Sequence, residues 1–348
     1  MGWLAGWSKS KIRYISGASG SGTNYQMTMT ILASDLDNQM NADFGDVRFT
    51  DVDGTTLLNY SRQSYISGTS ATFLILIPDP SANTYIIVYY SKAGQATGGT
   101  LSSVYDIYID GQSDQTASFT QRSIGNGNLA TLGYDATNHR YTITAAQQDT
   151  AMFELLPNAG TQGYEYRSDY AFSTVGGVHS EFGMAVRYSA SGLYYLSDYQ
   201  RQTTNIKKLW IVREPNPPNA QYVDQTAGTV PIADRIGTTN LNTYKVQNTF
   251  YTFTGRVYGS NLYCSESLDG LSVTASDTTY GSGSLGLYVF YGGPVIYFKN
   301  LWVRKYVSPE PTFTTWSGER IQNQMISQNF TYKQVEDLIR IRLRSVIN

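Results

Sequence analysis

Two stretches that lie far apart in the chain, residues 182–196 and 283–304, share one pattern. Each consists of two runs rich in β-branched and aromatic residues, and a short Gly- or Ser-containing turn joins the runs. This pattern is typical of β-hairpins. Because a sheet buries its apolar face against a second layer, the two stretches predict two walls of one β-sandwich.

The chain has 348 residues, which is long for one domain and favours two. Short runs with strand character recur within residues 7–92, and the Asp53-Gly54 pair predicts a hairpin turn among them. Residues 93–103 are rich in Gly, Ala, Ser and Thr, which is typical of a linker. The prediction is an all-β chain of two tandem β-sandwiches, with the first over residues 1–92, the linker over 93–103 and the second over 104–307.

The C-terminal part of the chain has a different pattern. Pro309 and Pro311 end the strand-like runs, so residues 308–348 are predicted to form a tail. Apolar side chains recur there at helical spacing and predict a C-terminal amphipathic helix over residues 331–347. These positions are Val335, Leu338, Ile339, Leu343 and Val346.

A helix this short is marginal alone in water, so its apolar stripe needs a surface to pack on. The sequence leaves three surfaces open. They are the chain's own sandwich, a second copy of the chain in a homo-oligomer, and another protein of an assembly.

Four segments of the first unit carry a resemblance to a known family. Residues 7–12, 23–26, 46–58 and 86–90 resemble an uncharacterised β-sandwich domain family found in archaeal and bacterial envelope proteins and in virus structural proteins. The resemblance covers about the first quarter of the chain. It implies no activity, because none is established for that family.

The two hairpin-like stretches carry a second resemblance. Residues 182–196 and 283–304 resemble strand pairs of the laminin-G/concanavalin-A-like jelly roll. That resemblance implies a domain that holds sugars or other surfaces more often than it cleaves them. It also makes a bound calcium ion possible. However, Arg62 stands where a calcium loop beginning at Asp51 needs its last acidic ligand. We therefore predict no metal or cofactor.

Composition excludes two classes of partner. Charged residues make up 15% of the chain, the net charge is −2, and no basic run is present, so we expect no nucleic-acid partner. The most apolar run, residues 71–77, is far shorter than the roughly 20 residues of a membrane-spanning helix. No signal-peptide pattern is visible at the N-terminus, which predicts a trimmed leader or release by cell lysis.

The sequence offers no recognisable catalytic set. Sugar-cleaving jelly rolls carry two carboxylates on one strand face, whereas Glu165, Glu181 and Glu266 stand alone. The two histidines, His139 and His179, occupy turn-like or loop-like positions. We therefore predict that the protein is not an enzyme.

The best candidates for a ligand site are aromatic residues that lie near polar ones. The chain has 29 Tyr, and tyrosine gives a binding surface large contact area at low entropy cost. The same residues on alternating strand positions also suit simple sheet packing. The candidates are Tyr194, Tyr195, Asp198, Tyr199, Trp210, Tyr222 and Tyr291.

Together these observations predict a non-enzymatic structural or adhesion module of an extracellular assembly. The first hypothesis is a virion protein, in a capsid, spike or tail, that presents a jelly roll to cell-surface glycans. The alternative is a secreted or cell-surface carbohydrate-binding protein of an archaeon or bacterium. A polysaccharide-degrading enzyme with an unfamiliar site is the third.

Overall fold

A computed structural model describes residues 2–82, 84–123, 130–144, 149–156, 159, 161–173, 179–189, 192–201, 206–215, 235–291 and 295–322. The chain divides into two compact units, Met1–Val104 with Pro309–Asn348, and Tyr105–Ser308. Within the described residues, the regular elements are strands, numbered β1 to β23 along the chain, and three short 3-10 helices. The 3-10 helices are Ala33–Leu36, Leu101–Ser103 and Thr116–Ser118. The all-β prediction is confirmed, while the helix predicted over residues 331–347 lies outside the described residues.

The first unit contains two antiparallel sheets. One has the order β22-β1-β6-β3, with β23 also pairing β1, and the other has the order β2-β5-β4. The strands are β1 Lys9–Ser16, β2 Tyr25–Leu32, β3 Arg48–Thr50, β4 Tyr60–Ile66, β5 Ser70–Ile77, β6 Thr84–Tyr90, β22 Thr312–Trp316 and β23 Arg320–Ile321.

Aromatic rings join these two sheets into a sandwich. Phe49 of β3 meets Tyr60 of β4 at 5.0 Å between ring centroids and Phe73 of β5 at 5.1 Å. Both contacts are edge-to-face, an arrangement that aromatic pairs prefer. All three residues are nearly or fully buried, so the core of the first unit lies between its sheets.

The segment predicted as a linker belongs to the first unit instead. Arg48 Nη2 donates to the Ala96 carbonyl at 2.7 Å, and Gly98 N donates to Tyr60 Oη at 3.2 Å. Gly99 has a φ of +84°, and a Cβ there would lie 1.8 Å from the Tyr60 carbonyl oxygen. Glycine therefore serves close packing here, whereas its frequency in the sequence suggested a flexible connection.

The tail also contributes to the first unit, which corrects the prediction that Pro309 and Pro311 end the β pattern. In β22, Phe313 and Trp316 pair with Ile15 and Arg13 of β1. A proline just before an edge strand is tolerated because that position needs no ladder hydrogen bond. The two prolines therefore mark the beginning of a short strand.

The second unit contains one eight-stranded and one seven-stranded sheet, both antiparallel. Their orders are β19-β18-β17-β12-β21-β10-β9, with β7 pairing β21, and β16-β15-β14-β13-β20-β11-β8. The eight strands are β7 Ile107–Ile109, β9 Thr131–Asp135, β10 Arg140–Thr144, β12 Tyr164–Phe172, β17 Tyr251–Tyr258, β18 Asn261–Glu266, β19 Ser272–Ser276 and β21 Ile296–Lys305. The seven are β8 Thr120–Ser123, β11 Asp149–Leu156, β13 His179–Ser189, β14 Gly192–Arg201, β15 Ile206–Pro215, β16 Arg235–Asn240 and β20 Ser284–Tyr291.

The two large sheets pack face to face. Phe182 of β13 stacks on Tyr170 of β12 at 4.5 Å between ring centroids, and it also lies 6.4 Å from Phe253 of β17 and 6.5 Å from Phe298 of β21. All four side chains are buried. These contacts place the core of the second β-sandwich between the sheets.

One of the two predicted hairpins is confirmed and the other is wrong. Strands β13 and β14 pair directly, with Met184 opposite Leu196. Strands β20 and β21 lie in different sheets, and β20 has β13 and β11 on its two sides. Alternating apolar residues bury one face of a strand whichever neighbour it pairs with, so the pattern did not distinguish a hairpin from a crossover.

Candidate functional site

Tyr194, predicted to be a ligand platform, is fully buried. Its hydroxyl donates to Asp277 Oδ1 at 2.5 Å and accepts from Tyr280 N at 3.0 Å. Burial and the hydrogen bond to Asp277 raise the pKa of Tyr194 to about 12. The ring packs in the core, so it does not offer a face to a ligand.

Asp198 is also fully buried and takes part in an internal ion network. Lys245 Nζ lies 3.0 Å from Asp198 Oδ2 and also contacts Glu266, while the Tyr170 hydroxyl donates to Asp198. Burial raises the pKa of Asp198, and the nearby Lys245 charge opposes that rise. Buried charges are tolerated when they are paired in this way, so Asp198 has a structural role in this network.

Trp210 is 2% exposed, and its indole N–H donates to Glu181 and, at 2.8 Å, to Ser197 Oγ. Glu181 also accepts from Ser197 Oγ at 3.0 Å and from the Tyr288 hydroxyl at 3.1 Å. Burial raises the pKa of Glu181 to about 7, although the three donors oppose the change. Trp210 therefore anchors a buried carboxyl group, and the predicted platform role does not fit its burial.

Four other predicted site residues stay predictions. Tyr195 and Tyr199 lie in β14, and Tyr291 ends β20, but their side chains lie outside the described part of the structure. Tyr222 lies outside the described residues altogether.

The described residues place a different set of aromatic side chains around a pocket on the outer face of the eight-stranded sheet. In β17, Phe253 and Val257 point into the core, so the alternating Arg256 and Tyr258 lie on the opposite face. The pairing register places Arg256 beside Glu165 of β12 and Tyr263 of β18.

The pocket has a volume of about 250 Å³. It is lined by residues of β17, β18 and β19 and by residues that follow β21. The lining residues are Arg256, Tyr258, Asn261, Leu262, Tyr263, Thr274, Ala275, Tyr306 and Ser308. We call this set the Arg256 pocket.

Two tyrosine rings hold the guanidinium group of Arg256. Its Cζ lies 5.0 Å from the ring centroid of Tyr263 and 5.1 Å from that of Tyr306. Tyr258 in turn meets Tyr306 edge-on, at 6.4 Å and 88°. Both distances from Arg256 are within the roughly 6 Å over which a cation and an aromatic ring attract.

Close backbone packing fixes the two outer tyrosines. Tyr306 N donates to the Gly163 carbonyl at 2.9 Å. A Cβ at Gly163 would lie 2.2 Å from the Tyr306 carbonyl oxygen and 2.7 Å from a ring carbon of Tyr258. Only glycine at position 163 leaves Tyr258 and Tyr306 where they are.

A buried carboxylate beside the pocket contacts two arginines. Glu165 is buried and contacts two guanidinium groups, that of Arg304 and, at 3.4 Å, that of Arg256. Two guanidinium groups therefore share the carboxylate of Glu165. The buried Nε of Arg256 has no hydrogen-bond partner among the described residues.

The sequence contains a signal that could have revealed this pocket. Strands β17 and β18 are joined by Gly259 and Ser260, and Gly259 has a φ of +55°. A two-residue turn fixes the hairpin register, so it places Arg256 opposite Tyr263. Tyr306 could not be found in this way, because it follows a strand from another part of the sequence.

The described segments contain neither a metal-ligand cluster nor a membrane-spanning helix. These segments bring no group of three or more His, Cys, Asp or Glu side chains together in a way that could hold a metal ion. No helix among the described residues has the length and apolar character that a bilayer span needs.

Comparison with known proteins gives one family match. A domain of unknown function, DUF2341, matches residues 43–122, which is fewer than half of the residues in the chain. The match includes the segment 46–58 that carried the resemblance, and it extends past residue 104 into the second unit. No curated protein matches the chain significantly.

Several solved structures have a distantly similar backbone. Carbohydrate-binding module CBM66 from Bacillus subtilis is 14% identical, with 53% of this chain and 99% of that chain covered and a TM-score of 0.37. A Bacillus subtilis protein of unknown function with a galectin-like fold is 10% identical, with 58% and 96% covered and a TM-score of 0.40. A legume lectin-like domain from Entamoeba histolytica is 7% identical, with 57% and 96% covered and a TM-score of 0.39. Likeness at this level assigns no ligand, and the sandwich architecture rests on the strand pairing described above.

Proposed function

We propose that this protein is a non-catalytic carbohydrate-binding module and that the Arg256 pocket holds the sugar. One observation carries the proposal, namely the hollow on an outer sheet face that Tyr258, Tyr263 and Tyr306 form around Arg256. Ligand sites are typically concave and lined by aromatic side chains with a few polar groups.

The lining groups suit a sugar ring. The apolar side of a pyranose can stack on a tyrosine face, while each tyrosine hydroxyl remains available to water or to the ligand. Asn261, Thr274 and Ser308 supply polar groups at the same pocket. A volume of about 250 Å³ is slightly below the usual range for small-molecule sites and suits one sugar unit of a chain.

Three glutamates of the second unit support a role without catalysis. Glu165 pairs with Arg256 and Arg304, and Glu181 accepts three hydrogen bonds from neighbouring side chains. Glu266 pairs with the buried Lys245. Each of these carboxylates thus has internal partners.

We further propose that the protein works outside the cell as part of an assembly. The first hypothesis is a structural or adhesion protein of a virion, in which residues 331–347 dock onto a second copy of the chain or onto another assembly protein. The alternative is a secreted or cell-envelope protein that binds carbohydrate as a single chain. In both hypotheses the Arg256 pocket would bind glycans on a cell surface.

The test is binding of the full chain to a broad glycan array, followed by titration of the best ligand against single variants. Tyr263→Ala and Tyr306→Ala should each weaken binding by about tenfold, which corresponds to about 1.4 kcal/mol. Tyr65→Ala is the matched control, because Tyr65 is 50% exposed and lies in the first unit.

Two results would contradict this function. One is the absence of binding to every glycan on the array. The other is binding that Tyr263→Ala and Tyr306→Ala leave unchanged while thermal unfolding shows that both variants are folded.

A further inference from the structure

We infer that the Arg256 pocket selects an acidic sugar, one that carries a carboxylate group such as a uronic acid. This inference rests on the proposed function and specifies its ligand. It follows from how the charges and hydrogen-bond donors of the pocket are arranged.

The first step concerns the partner of Arg256. Among the described residues, its one hydrogen bond runs from Nη2 to Glu165 Oε1 at 3.4 Å, which is long for such a bond. Glu165 is bound more closely by Arg304, whose Nη2 donates to the other carboxylate oxygen. The positive charge of Arg256 is therefore only partly neutralised within the protein.

The second step concerns the position of Arg256. Its side chain is 34% exposed, whereas that of Arg304 is 15% exposed, and Arg256 is the one that lines the pocket. The rings of Tyr263 and Tyr306 hold the guanidinium group in place, so less side-chain entropy is lost when a ligand binds. Its Nε still lacks a partner among the described residues.

The third step concerns the ligand's charge. No acidic residue is among those that line the pocket, so the charged side chain of its lining is that of Arg256, which repels a cation. A neutral sugar would cover Arg256 without replacing the water that solvates its charge, which is unfavourable. A carboxylate would accept two parallel N–H donors from the planar guanidinium group, the arrangement that arginine favours.

The experiment compares two ligands that differ only in charge. Oligogalacturonate and its full methyl ester are built from the same sugar ring, but the ester carries no negative charge. Isothermal titration of the full chain should show about tenfold tighter binding of the acid, and the difference should shrink at high ionic strength. An alginate fragment and its ester provide a second pair with different ring stereochemistry.

Single variants identify the side chain that recognises the carboxylate of the ligand. Arg256→Gln should remove the preference for the acid, so that the acid and its ester bind this variant with equal affinity. Glu165→Gln should strengthen binding of the acid, because it removes the negative charge that competes for Arg256. Arg167→Gln is the matched control, because it removes one positive charge from an exposed residue of β12 that does not line the pocket.

Four binding results would contradict the preference for an acidic sugar. Equal affinity for acid and ester in both pairs, or binding of neutral glycans alone, would overturn the inference and leave the proposed function standing. The inference would also be wrong if a sulfated galactan bound more tightly than every uronate, or if Arg167→Gln weakened binding as much as Arg256→Gln. Absence of all glycan binding would overturn both the inference and the proposed function.

Discussion

Ionisation of the buried Glu181 should lower the stability of the second unit. Its pKa rises from 4.5 to about 7 because burial disfavours the charged carboxylate. The folded protein therefore holds this proton more tightly than the unfolded chain. Its contribution to stability is fully present below about pH 4.5 and is lost as the pH rises through about 7.

The expected loss can be measured. Since each pH unit of pKa difference corresponds to about 1.36 kcal/mol, ionising Glu181 should lower the free energy of unfolding by on the order of 3 kcal/mol. Urea unfolding at pH 5 and pH 8 should show most of this loss in the native chain and not in Glu181→Gln, which keeps an acceptor for Trp210 and Ser197. An identical pH dependence in both proteins would show that Glu181 is ionised throughout.

Residue type and spacing predicted where strands lie better than they predicted which side chains are accessible. Tyr194 and Trp210 lie near polar residues in the sequence, yet both side chains are buried. Hydroxyl and indole N–H groups can enter a core when partners such as Asp277 and Glu181 accept their hydrogen bonds. Those partners come from other strands, so a single stretch of sequence does not reveal them.

At the level of elements, the short strands β22 and β23 cover one side of β1. Ser317 and Ile12 exchange hydrogen bonds at 2.8 and 2.9 Å, and Lys9 pairs with Glu319 at 2.6 Å. The Arg13 guanidinium also lies over the Trp316 ring at 4.6 Å. These contacts suggest that the first unit needs the chain segment that follows the second unit.

A truncation that ends at Ser308 tests this dependence. It should leave the backbone groups of β1 without partners on that side, so amide hydrogen exchange in residues 9–16 should become faster. Exchange in β13 and β14 of the second unit should stay the same. A chain that ends at Gln322 is the control, because it retains both short strands. Unchanged exchange in β1 of the shorter chain would contradict the structural role of this segment.

Strand pairing shows which parts of the fold can be predicted from the sequence. The hairpin of β13 and β14 is predictable because its two strands are neighbours in sequence and in space. The pairing of β1 with β22 joins residues about 300 positions apart, for example Arg13 with Trp316. The pattern of one strand does not identify a distant partner, because alternation fixes only which face is buried.

At the level of the whole molecule, the sequence predicts an assembly element in the part of the chain that lies outside the described residues. Residues 331–347 carry a stripe of five apolar side chains, and a helix this short needs a surface to cover them. A truncation for testing this element must keep β22 and β23, because they pair with β1. The suitable shortened chain therefore ends at Gln322.

Light scattering of the full chain and of the chain ending at Gln322 measures the native mass of each. We expect an oligomer for the full chain and a monomer for the shortened one, because the apolar stripe would be the main contact between copies. Leu338→Glu in the full chain should have the same effect, since it places a charge in the stripe, whereas Arg342→Glu outside the stripe should not. Equal masses for the full and shortened chains would contradict an assembly role for the helix and favour the single-chain carbohydrate-binding alternative.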